Sequence, residues 1–331
     1  MKRHGNLFDG LCSFENLLKA AKKAQKGKRF KFSTGNFNLK LEDELLSIQQ
    51  ELLTQTYQMG DYKRFYIYDP KKRLISAAPY RDRVVQHALC NIIEPIFDKS
   101  FVFDSYACRN DKGSHMAVAR FKHFCRFNNY VLKCDIKNYF ASINHEVLYQ
   151  LVLWKIKDTK TLWLIKRIID STPSPGVPIG NLTSQIFANL YLNELDCFVK
   201  ENLKCKCYVR YMDDMAIFSN DKVELSKIKF AIRAYLVKLK LQLHENKSQI
   251  YKTRKVNFLG YRIFPTHCLI LNQNLVRLKR RMKKYLKLLK EGVVEKSKII
   301  NSLQSWLGYA LHADSYKLRL QIIEQMKGVI L

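Results

Sequence analysis

The chain has 331 residues, of which 47% are hydrophobic, and this length and composition allow two or three packed subdomains. Its 58 Lys and Arg side chains outnumber 29 Asp and Glu, which gives a formal net charge of +29. Such an excess indicates an anionic partner, nucleic acid before a membrane surface. No run of about 18 apolar residues is present that could span a bilayer, and the first ten residues contain no apolar signal core.

Nine cysteines are scattered along the chain without a CxxC pair or a Cys/His cluster at the spacing of a zinc site. The close pair Cys205 and Cys207 is expected to be structural. An odd number of cysteines without an export signal predicts reduced thiols and a cytoplasmic location. Any metal chemistry is therefore expected to use carboxylates and a hard cation.

Toward the N-terminus, the apolar residues from Leu39 to Leu53 recur at helical spacing. A dense basic tract precedes them, made of Lys22, Lys23, Lys26, Lys28, Arg29 and Lys31. Two interpretations of this tract stand side by side: a solvated surface, and a contact with nucleic acid or a partner.

The middle of the chain alternates between strand and helix patterns. Residues 130–136 (YVLKCDI) have the alternation of a strand that ends in Asp135, and residues 183–203 have an apolar helical face. Two short β-rich runs then flank a Met-Asp-Asp turn in CYVRYMDDMAIFSN, which predicts a hairpin. A helix over 223–241 and a strand over 248–258 complete a β-α-β-β-α-β order, the split arrangement of ferredoxin-like sheets.

This order predicts where three acidic residues meet. In the split arrangement the first two strands are parallel and the third lies between them, so the end of the first strand adjoins the turn between the second and third. Asp135 is at that strand end, and Asp213 and Asp214 are in the turn. Three neighbouring carboxylates repel one another unless cations neutralise them, and two Mg²⁺ ions about 3.5–4 Å apart would do so while promoting phosphoryl transfer. We therefore expect a two-metal site, at which Mn²⁺ can substitute.

Beyond Gly260 the sequence is mostly helical in pattern. The segment LNQNLVRLKRRMKKYLKLLK has an apolar face and fills its other faces with Arg and Lys; the apolar positions are Leu275, Leu278, Met282, Leu286 and Leu289. By itself this is typical of a solvated or membrane-surface helix. After a catalytic sheet, it is better interpreted as a helix laid along a nucleic-acid duplex.

The motif YMDD at 211–214 matches the signature of reverse transcriptases, and DIKNYF at 135–140 resembles their first catalytic motif. The resemblance spans roughly residues 60 to 310. It implies an α+β, right-hand polymerase fold with fingers, a ferredoxin-like palm and a helical thumb. The implied division is a basic N-terminal extension over 1–64, fingers and palm over 65–270, and the thumb over 271–331.

The resemblance also implies roles for individual residues. Catalysis is assigned to Asp135, Asp213, Asp214 and Lys247, and metal binding to Asp135, Ile136, Asp213 and Asp214. The nucleotide-binding residues are Lys72, Arg73, Arg83, Phe140, Ile179, Gly180 and Gln185; the primer grip is Phe258, Leu259 and Gly260. Arg73 is the first choice for the triphosphate, although any one of these cations could be a surface charge. Phe140 would exclude the ribose 2′-hydroxyl, and Lys247 would protonate pyrophosphate. The alternatives are that Phe140 or Phe258 is an ordinary core residue and that Lys247 is an ordinary solvated lysine.

The segment PIGNLTSQIFANLYL, residues 178–192, distinguishes among reverse transcriptases. Most carry a Gln-Gly-x-x-x-Ser-Pro pattern here, whereas this chain has Ile179 in place of Gln and Gln185 in place of Pro. The departure resembles the enzymes of diversity-generating retroelements. That resemblance implies error-prone copying of a template-repeat RNA into cDNA, with mutations at adenine, dNTPs as substrates, and a pentameric accessory variability protein. The alternatives are a retron or abortive-infection reverse transcriptase, and a non-catalytic RNA-binding scaffold.

Overall fold

The computed structural model describes residues 3–68 and 71–330. Residues 1 and 2 of the predicted N-terminal extension and residue 331 of the predicted thumb therefore lie outside it. The first part of the chain is helical. Its helices are α1 (Phe8–Cys12), α2 (Phe14–Ala24), α3 (Phe32–Leu39) and α4 (Leu41–Leu53). Helix α2 begins where the Ser13 side chain accepts a hydrogen bond from the Asn16 N–H, which satisfies one of the free donors of the first turn.

A hairpin and two long helices connect this helical part to the central sheet. They are β1 (Lys63–Ile67), β2 (Arg73–Ala77), α5 (Tyr80–Asp98) and α6 (Ser114–Phe127). Helix α5 packs against α2 and contributes to the same apolar core as α1 and α4. The expected boundary at 64 falls inside β1, and the preceding helices share their core with α5. The domain division is therefore still a prediction.

The central sheet has the strand order β4-β5-β3-β6, with every neighbouring pair antiparallel. Its strands are β3 (Tyr130–Cys134), β4 (Tyr208–Tyr211), β5 (Asp214–Ser219) and β6 (Gln249–Lys252). The third strand of this unit therefore lies between the first two, as the sequence predicts. The β-α-β-β-α-β order and the mixed α+β fold are confirmed.

Helices connect the strands of the central sheet along the chain. After β3 come α7 (Tyr139–Ser142), α8 (His145–Leu153), α9 (Thr159–Ile169) and α10 (Leu182–Cys197), and α11 (Lys222–Lys238) precedes β6. Helix α10 is buried over most of its length because it packs between α5 and α8. Buried helices lack a polar face, which explains its weak amphipathic pattern.

The chain ends in a small sheet and a helical bundle. The sheet consists of β7 (Val256–Phe258), β8 (Tyr261–Ile263) and β9 (Cys268–Ile270), and the bundle of α12 (Asn272–Lys290), α13 (Lys296–Ala310) and α14 (Tyr316–Ile330). The prediction of mostly helical structure beyond Gly260 agrees with these three helices and the predicted hairpin at 257–263 with β7 and β8, but β9 is missed. Strands of three residues are too short to show an alternating pattern. Across the described residues, no helix is both long and apolar enough to cross a membrane.

Candidate active site

The centre of the site is the two-residue turn between β4 and β5. Tyr211 pairs with Asp214 across the hairpin, so Met212 and Asp213 form the turn itself. Met212 has φ of 55°, a left-handed conformation that is uncommon for a residue with a branched or bulky side chain. Such strain persists only where the surrounding structure imposes it. The turn is therefore held in place by its neighbours.

Asp135 reaches the same end of the sheet from β3. The last recorded pair of the β3–β5 ladder joins Cys134 to Met215, and one step further places Asp135 beside Asp214. The Asp135 backbone is fixed on its other side, because its carbonyl accepts from the His244 N–H at 2.7 Å. The topology thus brings together the three aspartates that are far apart in sequence.

The three carboxylates influence one another strongly. Burial raises the pKa of Asp213 to about 6, and repulsion by Asp214 and Asp135 adds to this effect. Burial also raises the pKa of Asp214, which Lys133 opposes by favouring the charged form. Asp135 acts on both residues in the raising direction. Part-buried carboxylates that repel one another are a site at which a cation would be stabilised.

A lysine already neutralises one of these carboxylates. The Lys247 ammonium donates to Asp135 Oδ2 at 2.5 Å, and its side chain is 45% exposed. Lys247 ends the short 3₁₀ turn Glu245–Lys247, and the next residue, Ser248, donates its hydroxyl to the Asp135 carbonyl at 3.4 Å. The structure therefore places Lys247 beside Asp135, and its predicted role as a proton donor is still a prediction.

The donor chemistry fits a divalent cation. Carboxylate oxygens are the ligands that hard cations prefer. Ile136 lies opposite Leu243 in an antiparallel bridge, and the backbone hydrogen bonds of this bridge are made by the residues on either side of the pair. The Ile136 carbonyl therefore points away from Leu243, to the side of β3 on which β5 lies. Within the described residues, no group of three or more His, Cys, Asp or Glu side chains is arranged to hold a metal ion, so the three aspartates would have to move closer together to do so. Lys247 competes with a cation for Asp135.

A buried ion pair supports the catalytic turn, and the sequence analysis does not identify it. Arg210 and Asp196 are both fully buried, and Arg210 Nη2 lies 2.6 Å from Asp196 Oδ2. Arg210 Nη1 also donates to the Met212 carbonyl at 3.1 Å and to the Asn189 side chain at 3.2 Å. Because Asp196 and Asn189 belong to α10, this network ties α10 to the turn. An Arg in an otherwise apolar strand and an Asp in an apolar helix were the available signals.

A backbone contact joins the hairpin β1–β2 to the segment before α10, and these two segments are called the wall below. The Ser76 N–H donates to the Ile179 carbonyl at 3.0 Å. Gly180 has φ of 130°, and a Cβ at this position would lie 3.0 Å from the Ser76 carbonyl oxygen. Only glycine fits this close approach without strain. Ile179 and Gln185 are half-buried, as is Phe140, whose carbonyl accepts from the Val177 N–H at 2.8 Å.

The cations expected to bind the triphosphate occupy two different places. Arg73 and Lys72 are exposed on the hairpin, and the Lys72 ammonium lies 4.4 Å from the centre of the Tyr66 ring. Arg83 instead lies on α5, over the Tyr80 ring at 5.4 Å. Burial lowers the pKa of Arg83, and Tyr80 opposes this effect. The role of all three cations at the triphosphate is still a prediction.

Two further lysines act on the aspartates and were missed from the sequence. Lys71 lies close enough to favour the charged form of Asp214, and Lys133 does so more strongly. Lys133 precedes Asp135 by two residues on β3, so both side chains point to the same face of the sheet. That spacing was a usable signal for Lys133. Lys71 directly precedes the two residues chosen from the same basic run.

The expected primer grip is a hairpin between β7 and β8. Phe258 is buried and stacks on Phe121 with ring centres 4.4 Å apart, so its ring belongs to the core, the alternative that the sequence left open. Leu259 and Gly260 form the turn, with φ of 44° and 88°. The Gly260 carbonyl accepts from the Tyr309 hydroxyl at 2.6 Å, which joins the turn to the helical bundle.

The ferredoxin-like sheet brings three aspartates together at a hairpin turn, which is the arrangement of a polymerase palm. The helical bundle that follows it along the chain corresponds to a polymerase thumb. Residues 68–263, more than half of the chain, match the reverse transcriptase (RNA-dependent DNA polymerase) family. The chain belongs to this family and is an RNA-directed DNA polymerase with a right-hand fold. Enzymes of this family use divalent metal ions, RNA templates and dNTPs.

Individual relatives place the chain near the group II intron lineage. Protein YkfC of Escherichia coli is 27% identical over 68% of this chain and 72% of its own length. The group II intron-encoded protein LtrA of Lactococcus lactis is 30% identical over 50% of this chain and 29% of its own length. The structure of apo telomerase from Candida tropicalis is similar with a TM-score of 0.54 and 14% identity, over 82% of this chain and 59% of that one. The chain thus spans less than a third of LtrA.

Proposed function

We propose that this reverse transcriptase copies a template-repeat RNA into cDNA with errors at adenine, as the enzymes of diversity-generating retroelements do. The observation that carries the proposal is Ile179. It replaces the glutamine of most reverse transcriptases, and its carbonyl accepts a hydrogen bond from the Ser76 N–H of the hairpin. An isoleucine side chain cannot donate a hydrogen bond to an incoming nucleotide. Loss of one such contact, worth about 1 kcal/mol, would relax the penalty on a misplaced base.

In the proposed mechanism, Asp135, Asp213 and Asp214, with the Ile136 carbonyl, would hold two Mg²⁺ ions. Bound there, the ions would supply the charge stabilisation for in-line attack on the triphosphate, and Mn²⁺ would be able to replace them. Arg73 and Lys72 contact the triphosphate oxygens from the hairpin. Arg83, at the start of α5, is the third cation proposed to contact the triphosphate.

The remaining roles concern selectivity and proton transfer. The Phe140 ring excludes a ribose 2′-hydroxyl, Gly180 lets the hairpin approach Ile179, and Gln185 is a further proposed contact of the nucleotide. Lys247 gives a proton to the departing pyrophosphate. The turn Leu259–Gly260 supports the primer end, while the buried Phe258 fixes that turn from beneath. A pentameric accessory protein and a cytoplasmic location complete the proposal.

Sequencing of cDNA made by the purified full chain tests this function. The reaction contains one RNA template with all four bases, a DNA primer, dNTPs and Mg²⁺; the Asp213→Ala, Asp214→Ala double variant is the control. We expect more misincorporation opposite adenine than opposite the other template bases. Equal error frequencies at all four bases would refute the retroelement assignment. Absence of any Mg²⁺-dependent product would favour the non-catalytic scaffold instead.

The variant Ile179→Gln tests the physical explanation separately. It should restore a contact of about 1 kcal/mol to a correctly placed nucleotide, which corresponds to a five- to tenfold change in discrimination. Errors opposite adenine should fall by about that factor, while correct incorporation is retained. An active variant with the wild-type error frequency at adenine would show that Ile179 only packs in the wall.

A further inference from the structure

The outer face of helix α11 carries an apolar stripe made of Val223, Phe230 and Val237. These residues follow one another at intervals of seven, which is about two helical turns, so they lie in one row along the helix. Their side chains are 62%, 73% and 69% exposed. The small residues Ser226 and Ala234, also exposed, fill the turns between them. A contiguous apolar row in water is typical of a surface that a partner covers.

Helix α11 lies on one side of the central sheet, and α6 lies on the other. The buried Leu225 of α11 belongs to the same core as Leu132 of β3 and Ile217 of β5. The neighbouring residue Ala216 of β5 points the other way, into the core that α6 shares. Side chains two residues apart on a strand share a face, so Asp214 is on the α6 side with Ala216. The sheet therefore separates the stripe from the catalytic carboxylates.

Basic side chains border the stripe on both sides. The helical repeat places Lys227 and Lys238 along one border. It places Lys222 and Arg233 along the other. Glu224, the one acidic residue of α11, lies further round the helix and accepts a hydrogen bond from the last residue of β5. The border is therefore positive along the length of the stripe, which complements an acidic partner.

A cavity of about 400 Å³ opens at the C-terminal end of the stripe. Val237 and Arg233 line it from α11, and the buried Leu241 and Leu243 line it from the segment that follows. Polar residues complete the lining, among them Glu245, which pairs with Arg233 at 2.7 Å. A partly apolar cavity beside an exposed apolar row is suited to receive an anchoring side chain from the molecule that covers the row.

Three kinds of molecule could cover this face, and its chemistry favours one of them. A second copy of the chain would bring the same basic border and a net charge of +29, so lysines would face lysines. Nucleic acid suits the border, but its bases stack on aromatic rings, and two of the three residues of the stripe are valines. A protein helix suits both features, since it can carry apolar residues at heptad spacing with acidic residues beside them.

We propose that the outer face of α11 is a docking surface for an acidic, amphipathic helix of a protein partner. Apolar residues of that helix pack along Val223, Phe230 and Val237, and one of them enters the cavity beside Val237. Its Asp and Glu side chains pair with the lysines of the border. Because the sheet separates this face from the catalytic aspartates, the partner stays bound during polymerisation. The surface does not depend on which RNA the enzyme copies or on its error rate.

Fluorescence anisotropy of a labelled synthetic peptide with the full chain tests the proposal. The peptide consists of three heptads with Leu at positions a and d, Glu at e and g, and Ala or Gln elsewhere. The control peptide has the same composition in scrambled order, so it has the same charge without the apolar row. The heptad peptide should bind at least about tenfold more tightly than the scrambled one, because only it buries its leucines on the stripe.

The stripe is tested with the double variant Phe230→Ser, Val237→Ser. It should weaken binding of the heptad peptide by at least about tenfold, because two apolar contacts are lost. Its affinity for an RNA duplex and its Mg²⁺-dependent primer extension should be those of the wild type. The matched control is Phe127→Ser, Val293→Ser, which removes a ring and a valine that are 66% and 67% exposed elsewhere on the chain. This control should bind the heptad peptide as the wild type does.

The basic border is tested with Lys227→Gln, Lys238→Gln. Each exposed ion pair that is lost should weaken binding of the heptad peptide by up to about fivefold. The control Lys99→Gln, Lys206→Gln removes the same net charge at two other exposed positions and should have a smaller effect.

Four results would overturn the proposal. Equal affinities for the two peptides would reduce the binding to plain charge attraction. Wild-type affinity for the heptad peptide in the Phe230→Ser, Val237→Ser variant would place the peptide elsewhere. Weakened RNA binding in that variant would assign the face to nucleic acid. A dimer of the wild type in sedimentation, lost in the same variant, would assign it to a second copy. Weakened binding of the heptad peptide alone, with RNA affinity and primer extension retained, supports the proposal.

Discussion

The ion pair between Arg210 and Asp196 offers a sharp test of how the catalytic turn is held. Asp196 accepts from Arg210 Nε at 2.7 Å and from Arg210 Nη2 at 2.6 Å, and the Tyr208 hydroxyl donates to it at 2.5 Å. Both charged side chains have 0% exposure. The change Asp196→Asn keeps the shape of the side chain and one accepting oxygen, but it leaves the Arg210 guanidinium buried without a counter-ion.

The expected cost follows from this burial. Removal of one partner of a buried pair typically costs about 3–5 kcal/mol, because the remaining charge is uncompensated. That is a large fraction of the roughly 5–15 kcal/mol by which proteins are stable. The matched control is Glu146→Gln in the pair with Lys240, whose side chains are 83% and 54% exposed. An exposed pair contributes about 0–1 kcal/mol, so this variant should unfold almost as wild type does.

Guanidinium chloride unfolding of the two variants measures the difference. Asp196→Asn should shift the midpoint to lower denaturant by an amount equivalent to about 3–5 kcal/mol, with a similar slope. Polymerisation should fall even under conditions in which the variant is folded, because Arg210 also bonds to the Met212 carbonyl. If Asp196→Asn were no less stable than Glu146→Gln, the argument that this pair holds the turn would be refuted.

Three other changes probe the site directly. Asp213→Ala or Asp135→Ala should reduce nucleotide incorporation by more than tenfold. The RNA affinity, measured by fluorescence anisotropy, should be retained because the phosphate contacts are expected from Lys and Arg elsewhere. Substantial activity in either variant at saturating Mg²⁺ would contradict the metal assignment. Phe140→Val should raise kcat/KM for rGTP relative to dGTP, and an unchanged ratio would leave Phe140 as a core residue. Gly180→Ala should cost about 1–3 kcal/mol of stability and raise the KM for dNTPs, because its φ of 130° and the Ser76 carbonyl at 3.0 Å leave no room for a methyl group. Gly35→Ala, in a helix with nothing within 4 Å, is the control and should be neutral or stabilising.

The central sheet was predictable because it depends on local patterns and one topological rule. Strand alternation placed Asp135 at the end of β3, and the tight turn placed Asp213 between two strands; the split arrangement then brought them together. Arg210 and Asp196 were not predictable in the same way. Each is a charged residue in an apolar segment, and only the three-dimensional packing shows that they neutralise each other. The role of Arg83 is still a prediction, since a basic motif shared by two neighbouring elements does not specify which side chain faces the substrate.

The position of the lysines explains how a strongly basic chain keeps three acidic side chains together. Lys247 pairs with Asp135, and Lys133, Lys247 and Lys71 favour the charged form of Asp214. Asp213 has the weakest support: burial and the other two aspartates raise its pKa, and Lys247 is the one side chain that opposes them. A divalent cation would therefore gain most from Asp213 and would compete with Lys247 for Asp135. Release of Lys247 by that competition would leave its ammonium next to the reaction centre, where a proton donor for pyrophosphate is required.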